Sequence, residues 1–499
     1  MHPRYARNPV IKEIWTDENK LRLWQATELA VIDARGTCGE ILREEAETIR
    51  QMLESIPIDL EWWKKKDTEV GHDLIAFVEE RQRHLHSTLK RYFHGKMTSY
   101  DTEEPAFAKM LLASLGEVEK LAGILIDVLI KQAEHHRFTV MLGETHGQWA
   151  ELQTFGKRVA TWLKAILISV ENLKRAKSGL DRSKLSGAIG NSPDLSDEIQ
   201  RVALASLGFL PFYGATQIIP REVYAPVASA LGQLVATIVK IATDIRLNAR
   251  SGRTLMREPF GKSQRGSSRM PHKRNTITLE QMGGMLRMAE GYVQMIVQNI
   301  QTWHERGIEQ SCVERVAWPD LFFVTTHTLT QMTKVLENLQ VYPDQMLCEV
   351  LDCAGVYAAS KVADFLEEVG LECGLSPGAG YSIVQLAAFG VLEPNAVTKL
   401  IRTNECTSYA EAQEAAAHVA KWRTPTTSIQ DHIPRCILRP SEELAFTTVQ
   451  TDTWNSALGK IFCLANTKAR WEEIFSFSYN LRGEAIQIDN VLAKARSFR

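Results

Sequence analysis

Residues 266–275 read GSSRMPHKRN, a concentration of glycine, serine, proline and cations that could bind an anion. Gly261 and Gly266 permit hinge motion, the serines let backbone N–H groups approach a ligand, and Lys262, Arg265, Arg269, Lys273 and Arg274 supply positive charge. Pro271 stiffens the far end before the helix expected to carry Glu280. Anions favour a helix N-terminus because its first N–H groups are unpaired. Residues 257–275 therefore suit a lid over a carboxylate or phosphate, although a solvated basic loop uses the same letters.

Other chemically capable residues also have two readings each. His146 can transfer a proton, yet an isolated histidine serves structure as readily. Thr98, Ser99 and Asp101 suit a helix N-cap and its preceding turn. Arg4 and Tyr5 have the position of a frayed terminus, and His72 and Asp73 that of capping groups. Arg306 and Arg315 could form surface ion pairs. Nine residues apart, they lie about two and a half turns along a helix, so one helix would not aim both at one ligand.

The elements that must position these groups read as helices. Val227, Leu231, Leu234, Ile238, Ile241 and Ile245 step by 4, 3, 4, 3 and 4, an apolar seam of helical period. Residues 107–135, 152–178 and 277–303 are long stretches without proline, and 320–340 looks similar. Period-two runs bounded by turns are scarce. The expectation is an all-α fold with a long central bundle, extended by self-association. Breaks fall at 92–105, 186–197, 210–222, 257–275, 373–380 and 421–436, where proline, glycine and polar residues collect.

Bulk properties narrow the function. A chain of 499 residues exceeds one compact core, so two or three domains are expected. Lys plus Arg total 58 against 60 Asp plus Glu, so no basic excess points to nucleic acid. The start lacks an apolar leader and no run of eighteen uncharged apolar residues follows, which predicts a soluble cytoplasmic protein with no membrane partner. Eight scattered cysteines without a CxxC pair predict reduced thiols, neither a disulfide framework nor a zinc site.

GSSRMPHKRN resembles the signature G-S-S-x-M-P-x-K-x-N-P of the fumarase/aspartase superfamily, and its His-Lys-Arg-Asn version is similar to that of the adenylosuccinate lyases. Further resemblances follow in the family's order: RYARNPVIKEIWTDENKLRLWQATELA (4–30), HDLIAFVEE (72–80), MTSYD (97–101), GETHGQWAELQTFG (143–156), TQIIPRE (216–222) and WHERGIEQSCVER (303–315). They are dense from residue 4 to about 320 and thin beyond roughly 370.

The resemblance implies a three-domain all-α fold: an N-terminal helical domain (1–110), a central bundle with the lid (111–365) and a C-terminal helical domain (366–499). It also implies a homotetramer with active sites shared between subunits. The implied reaction is β-elimination of fumarate from adenylosuccinate and from SAICAR, both purine-pathway nucleotides, with no metal or organic cofactor. Ser267 would be the base, His146 the acid, and Glu280 the group that orients and charges the histidine. Lys273 and Asn275, with Thr98 and Ser99, would hold the succinyl carboxylates. Arg4, Tyr5, His72, Asp73, Thr145, Gln217, Arg306, Ser311 and Arg315 match further substrate positions, several near the nucleotide phosphate. A guanidinium suits that task because it offers two donors to two oxygens. A serine is a poor base at its ordinary pKa, so Ser267 needs positive charge and N–H groups around its alkoxide.

This chain departs from the pattern at several points. Thr276 replaces proline after Asn275, and Val70 stands where threonine is common. Trp149 replaces a smaller residue, Leu152–Gln153 replace Pro-Thr, and RGIEQSC replaces Arg-Asp-Ile-Ser-His-Ser-Ser. Argininosuccinate lyase or carboxymuconate cycloisomerase chemistry is the nearest competitor, and Arg4, Tyr5 and Arg306 speak against it. A non-catalytic scaffold would be free to lose Ser267, His146 or Glu280, yet all three are present. Nucleic-acid binding would rest on the basic lid alone.

Overall fold

The computed structural model describes residues 1–192, 194–391, 406–420, 428–435, 438 and 444–498. Helices dominate, as expected. The principal ones are α1 (Asp17–Thr37), α2 (Asp73–Gln82), α3 (Ser99–His135), α4 (Phe155–Ser178), α5 (Ala225–Leu247), α6 (Ile277–Gln298) and α7 (Glu309–Glu337). Strands β1 (Val140–Thr145) and β2 (Gln148–Thr154) form an antiparallel hairpin, and the other strands among the described residues are two residues long. Part of the break expected at 421–436 lies outside the described residues, as does Cys436. The described cysteines are free thiols.

Local chemistry sets the boundaries. Thr16 caps α1 by accepting from the Asn19 N–H, with Asp17 and Glu18 in the first turn where the helix dipole favours them. Helix α3 begins at Ser99, inside the expected break, because Asp101 accepts from the Thr98 N–H and closes the first turn. Pro105 sits within α3 and costs it one intrahelical bond. Residues 152–154, expected to open a helix, instead form the end of β2. Leu152 faces Leu142 across the hairpin in a buried pair, and the Thr154 hydroxyl accepts from the Lys157 N–H at the start of α4.

The chain divides into two compact units. The first comprises Met1–Leu125, Ile166–Ala242 and Ile277–Lys334. Its core includes Leu21, Trp24, Ile49, Trp63, Phe77 and Phe93, and an aromatic group of Trp15, Phe107, Tyr224, Trp318 and Phe322. The second comprises Ile126–Ala165, Thr243–Thr276 and Val335–Arg499. There, the hairpin's Val140, Leu142 and Leu152 join a helical core containing Leu347, Phe365, Ile383, Leu458 and Trp471. Fully burying a Leu or Phe side chain is worth about 1.5–3 kcal/mol, so these clusters supply most of each unit's cohesion.

All six residues of the 227–245 seam are essentially inaccessible to solvent. Among the described residues, the helical stretch Arg221–Leu247 is long and apolar enough to cross a membrane. Burial of its seam gives it the character of a core helix.

Candidate active site

In the first unit, a buried ion pair ties several expected substrate residues together. Lys184 Nζ lies 2.7 Å from Asp101 Oδ1, and neither side chain is exposed. Lys184 also donates to the Gln217 carbonyl at 2.9 Å, while Asp101 accepts from the Gly187 N–H at 3.1 Å and the Thr98 N–H at 3.0 Å. One pair thus fixes the Thr98–Ser99 turn, the 184–187 loop and the Gln217 segment. A chain of side-chain contacts follows from it. Gln217 donates to Thr98 Oγ1 at 3.5 Å and accepts from Arg306 at 2.9 Å. The Arg306 guanidinium lies 4.1 Å from the centre of the Tyr100 ring. Its buried Nε has no hydrogen-bond partner among the described residues, which leaves a donor for an incoming anion.

Asp73, Ser311 and Arg315 meet at a cavity of about 250 Å³. Asp73 is the first residue of α2, and its carboxylate is 2.9 Å from Arg315 on α7 and 3.6 Å from Lys20 on α1. Lys20 is further held 5.0 Å from the ring centres of Trp24 and Trp63. Deeper in the wall, Arg221 donates to Glu104 at 2.5 Å and to Glu314 at 2.9 and 3.0 Å, and these carboxylates hold it charged. Tyr100 and Glu103, on α3, complete this side. Burial and the neighbouring Glu103 and Glu314 push the Tyr100 phenol up to about 12. Burial, then Asp73, push the Glu103 carboxyl up to about 8 against the pull of Arg315, Arg306 and Lys20.

The remaining first-unit candidates are less concentrated. His72 caps α2, accepting from the Ile75 N–H, so the capping role is realised in its exposed side chain. Arg4 is exposed, and the Tyr5 ring packs edge-on against His327 at 5.3 Å. Glu280 stands in the first turn of α6, on its exposed face.

In the second unit, His146 and Gly147 form the two-residue turn joining β1 to β2, with Thr145 paired to Gln148. Both turn residues have positive φ, 54° and 74°. That is the backbone of a type I′ hairpin turn, unusual for a histidine. The hairpin thus fixes His146 at an exposed tip. Its base is pinned by Arg253, which pairs with Glu144 at 2.8 Å and Glu349 at 2.5 Å.

The lid contains its own internal architecture. Ser267 Oγ accepts from the Met270 N–H at 3.1 Å and the Arg269 N–H at 3.4 Å, the donor arrangement that an alkoxide requires. Asn275 Nδ2 donates to the Gly266 carbonyl at 2.9 Å. A Cβ on Gly266 would lie 2.2 Å from the Lys273 carbonyl oxygen, so glycine here serves close approach instead of the expected hinge. Ser267, Lys273 and Asn275 are thereby gathered at one neck, with the Lys273 side chain exposed.

Sequence reasoning missed Lys20, Tyr100, Glu103 and Lys184. Lys184 borders the 186–197 break, but its partner is 83 residues away and nothing local announces it. Tyr100 lies within the quoted MTSYD segment and Glu103 two residues beyond it, so α-helical spacing from Ser99 offered a signal.

Residues 4–291 match the family described as Lyase. The chain is 34% identical to the adenylosuccinate lyase of Thermotoga maritima over 84% of its own length and 98% of that protein's. It is 35% identical to the adenylosuccinate lyase of a Synechocystis species, covering 76% of this chain and 86% of the relative. Among solved structures, a fumarate lyase from a Mesorhizobium species aligns with a TM-score of 0.76 at 19% identity, covering 99% of both chains. At that identity the likeness speaks for the fold.

Proposed function

The chain belongs to the adenylosuccinate lyases of the Lyase family, and from that premise we propose how its residues divide the elimination of fumarate from adenylosuccinate and SAICAR. A base removes the proton from the carbon beside a carboxylate, positive charge holds the resulting carbanion, and an acid protonates the departing nitrogen. Ser267 acts as the base, its alkoxide stabilised by the Arg269 and Met270 N–H groups and the cations of the lid. His146 is the acid, presented on the hairpin tip and oriented by Glu280. Lys273 and Asn275 grip the succinyl carboxylates together with Thr98 and Ser99. Thr145 and Gln217 contact substrate beside them. Arg4, Tyr5, His72, Asp73, Arg306, Ser311 and Arg315 bind the nucleotide, the arginines taking its phosphate.

Ser267, His146 and Glu280 stand on a lid, a hairpin tip and a helix start. The proposed homotetramer brings such elements from different subunits into each site. The protein works in the cytoplasm on small-molecule purine nucleotides.

The near full-length similarity to the Thermotoga maritima relative carries this reading. Purified protein given adenylosuccinate should lose the substrate's absorbance and release an equimolar amount of fumarate. Turnover of argininosuccinate in its place would overturn the assignment.

A further inference from the structure

The first-unit cavity has an unusual charge balance for a place that receives a phosphate. Its lining holds five carboxyl groups, Asp17, Asp73, Glu103, Glu104 and Glu314, against three cations, Lys20, Arg221 and Arg315. Arg221 is already shared by Glu104 and Glu314. Arg315 and Lys20 share Asp73, and Lys20 also meets Asp17 at 3.4 Å. Glu103 differs from the other four, having no hydrogen bond or ion pair among the described residues. The charged groups facing it are Asp73 on α2, Arg315 on α7, Arg306 just before α7 and Lys20 on α1, with Tyr100 and Glu314 also on the cavity wall; His94, ahead of α3 and paired with Glu28, also feels the charge of Glu103.

An ionised Glu103 would set one more negative charge beside a phosphate dianion in a cavity whose carboxyl groups already outnumber its cations. The protonated form reverses the interaction, because a carboxylic acid donates a hydrogen bond to a phosphate oxygen. We propose that Glu103 works as a neutral carboxylic acid that donates to the phosphate of the bound nucleotide beside Arg315 and Ser311, so that in alkaline solution nucleotide binding takes up a proton at this carboxyl. The proposal rests on the nucleotide reading of the site given above. The proton comes from solvent and returns on release; no other bond changes.

The free protein sets the pH window. Burial and Asp73 place the Glu103 titration at about 8. Below that value the acid is already protonated, and binding exchanges no proton. Above it the proton must be acquired, so affinity weakens roughly tenfold per pH unit. The phosphate's own second ionisation, near pH 6, lies below this window.

The test is calorimetric titration of the protein with AMP at pH 7 and pH 9, in buffers of different ionisation enthalpy. Wild type should take up close to one proton at pH 9 and bind about tenfold more weakly than at pH 7. E103Q, which keeps a donor but cannot ionise, should show no uptake and less than a twofold change in affinity between the two pH values. E103V, with no donor, should bind AMP about tenfold more weakly than wild type at pH 7. Absence of proton uptake by wild type, or the same uptake by E103Q, overturns the proposal. Fumarate release from adenylosuccinate by the same preparation separates the two readings. Release with pH-independent AMP binding removes only the role of Glu103, whereas no release and no AMP binding remove both.

Discussion

Replacing Lys184 with methionine should loosen the ordered end of the first unit. The substitution roughly preserves side-chain length and deletes the ammonium that lies 2.7 Å from Asp101, in a pair with no solvent exposure. Removing one partner of such a pair costs about 3–5 kcal/mol, because the other charge stays buried without compensation. Asp101 would still accept from the Gly187 and Thr98 N–H groups, which places the expected loss at the low end, about 3 kcal/mol. Hydrogen exchange reads this locally. The Thr98 and Gly187 amides should exchange on the order of a hundredfold faster in K184M, since each 1.4 kcal/mol is a factor of ten. Because the same pair supports Thr98 and Gln217, KM for adenylosuccinate should rise more than kcat falls. Adding D101N removes the stranded charge and should restore about 2 kcal/mol of the loss. Exchange in K184M within fivefold of wild type, or strictly additive effects of the two substitutions, would refute the reasoning.

S267A should lower fumarate release by about 10²–10⁴-fold with far-UV circular dichroism unchanged; activity within tenfold of wild type would remove Ser267 as the base. G266A places a Cβ 2.2 Å from the Lys273 carbonyl oxygen, so kcat should drop at least about tenfold while the melting temperature barely moves. An unchanged kcat would show that the neck of the lid is not needed. Burial, then His135, depresses the His136 imidazole to about 4. The unfolded chain protonates this histidine near 6.5 while the folded one stays neutral to about 4, so stability should fall by up to about 3 kcal/mol as pH drops through that interval. Denaturation midpoints of H136Q should lack that slope, and an identical slope would assign it elsewhere.

Much of the helical frame is legible in the residues because each helix carries its own evidence. The 227–245 seam repeats at helical spacing for over five turns, and every member of it is buried. The hairpin was less legible. LGETHGQW is polar and short, its register shifts between Leu142 and Glu144, and its tip takes a backbone for which histidine is uncommon. The lid's chemistry could be read from its composition, but the role of Gly266 could not, since close approach to Lys273 exists only once the loop has folded on itself. Lys184 and Asp101 illustrate the same limit. Charged letters disclose neither burial nor partners, and 83 residues separate the two.

The bond from Asn275 to the Gly266 carbonyl closes ten residues into a ring without a covalent link. Most of the entropy of bringing the loop's ends together has therefore been spent before any ligand arrives. A ring closed at its neck moves as one piece, like a hinged plate, and its pivots must lie outside it, in 257–265 and at Thr276. Thr276, where the family carries a rigid proline, then becomes part of the axle. Its substitution by proline would change how readily the plate swings while leaving the face that Ser267 presents untouched.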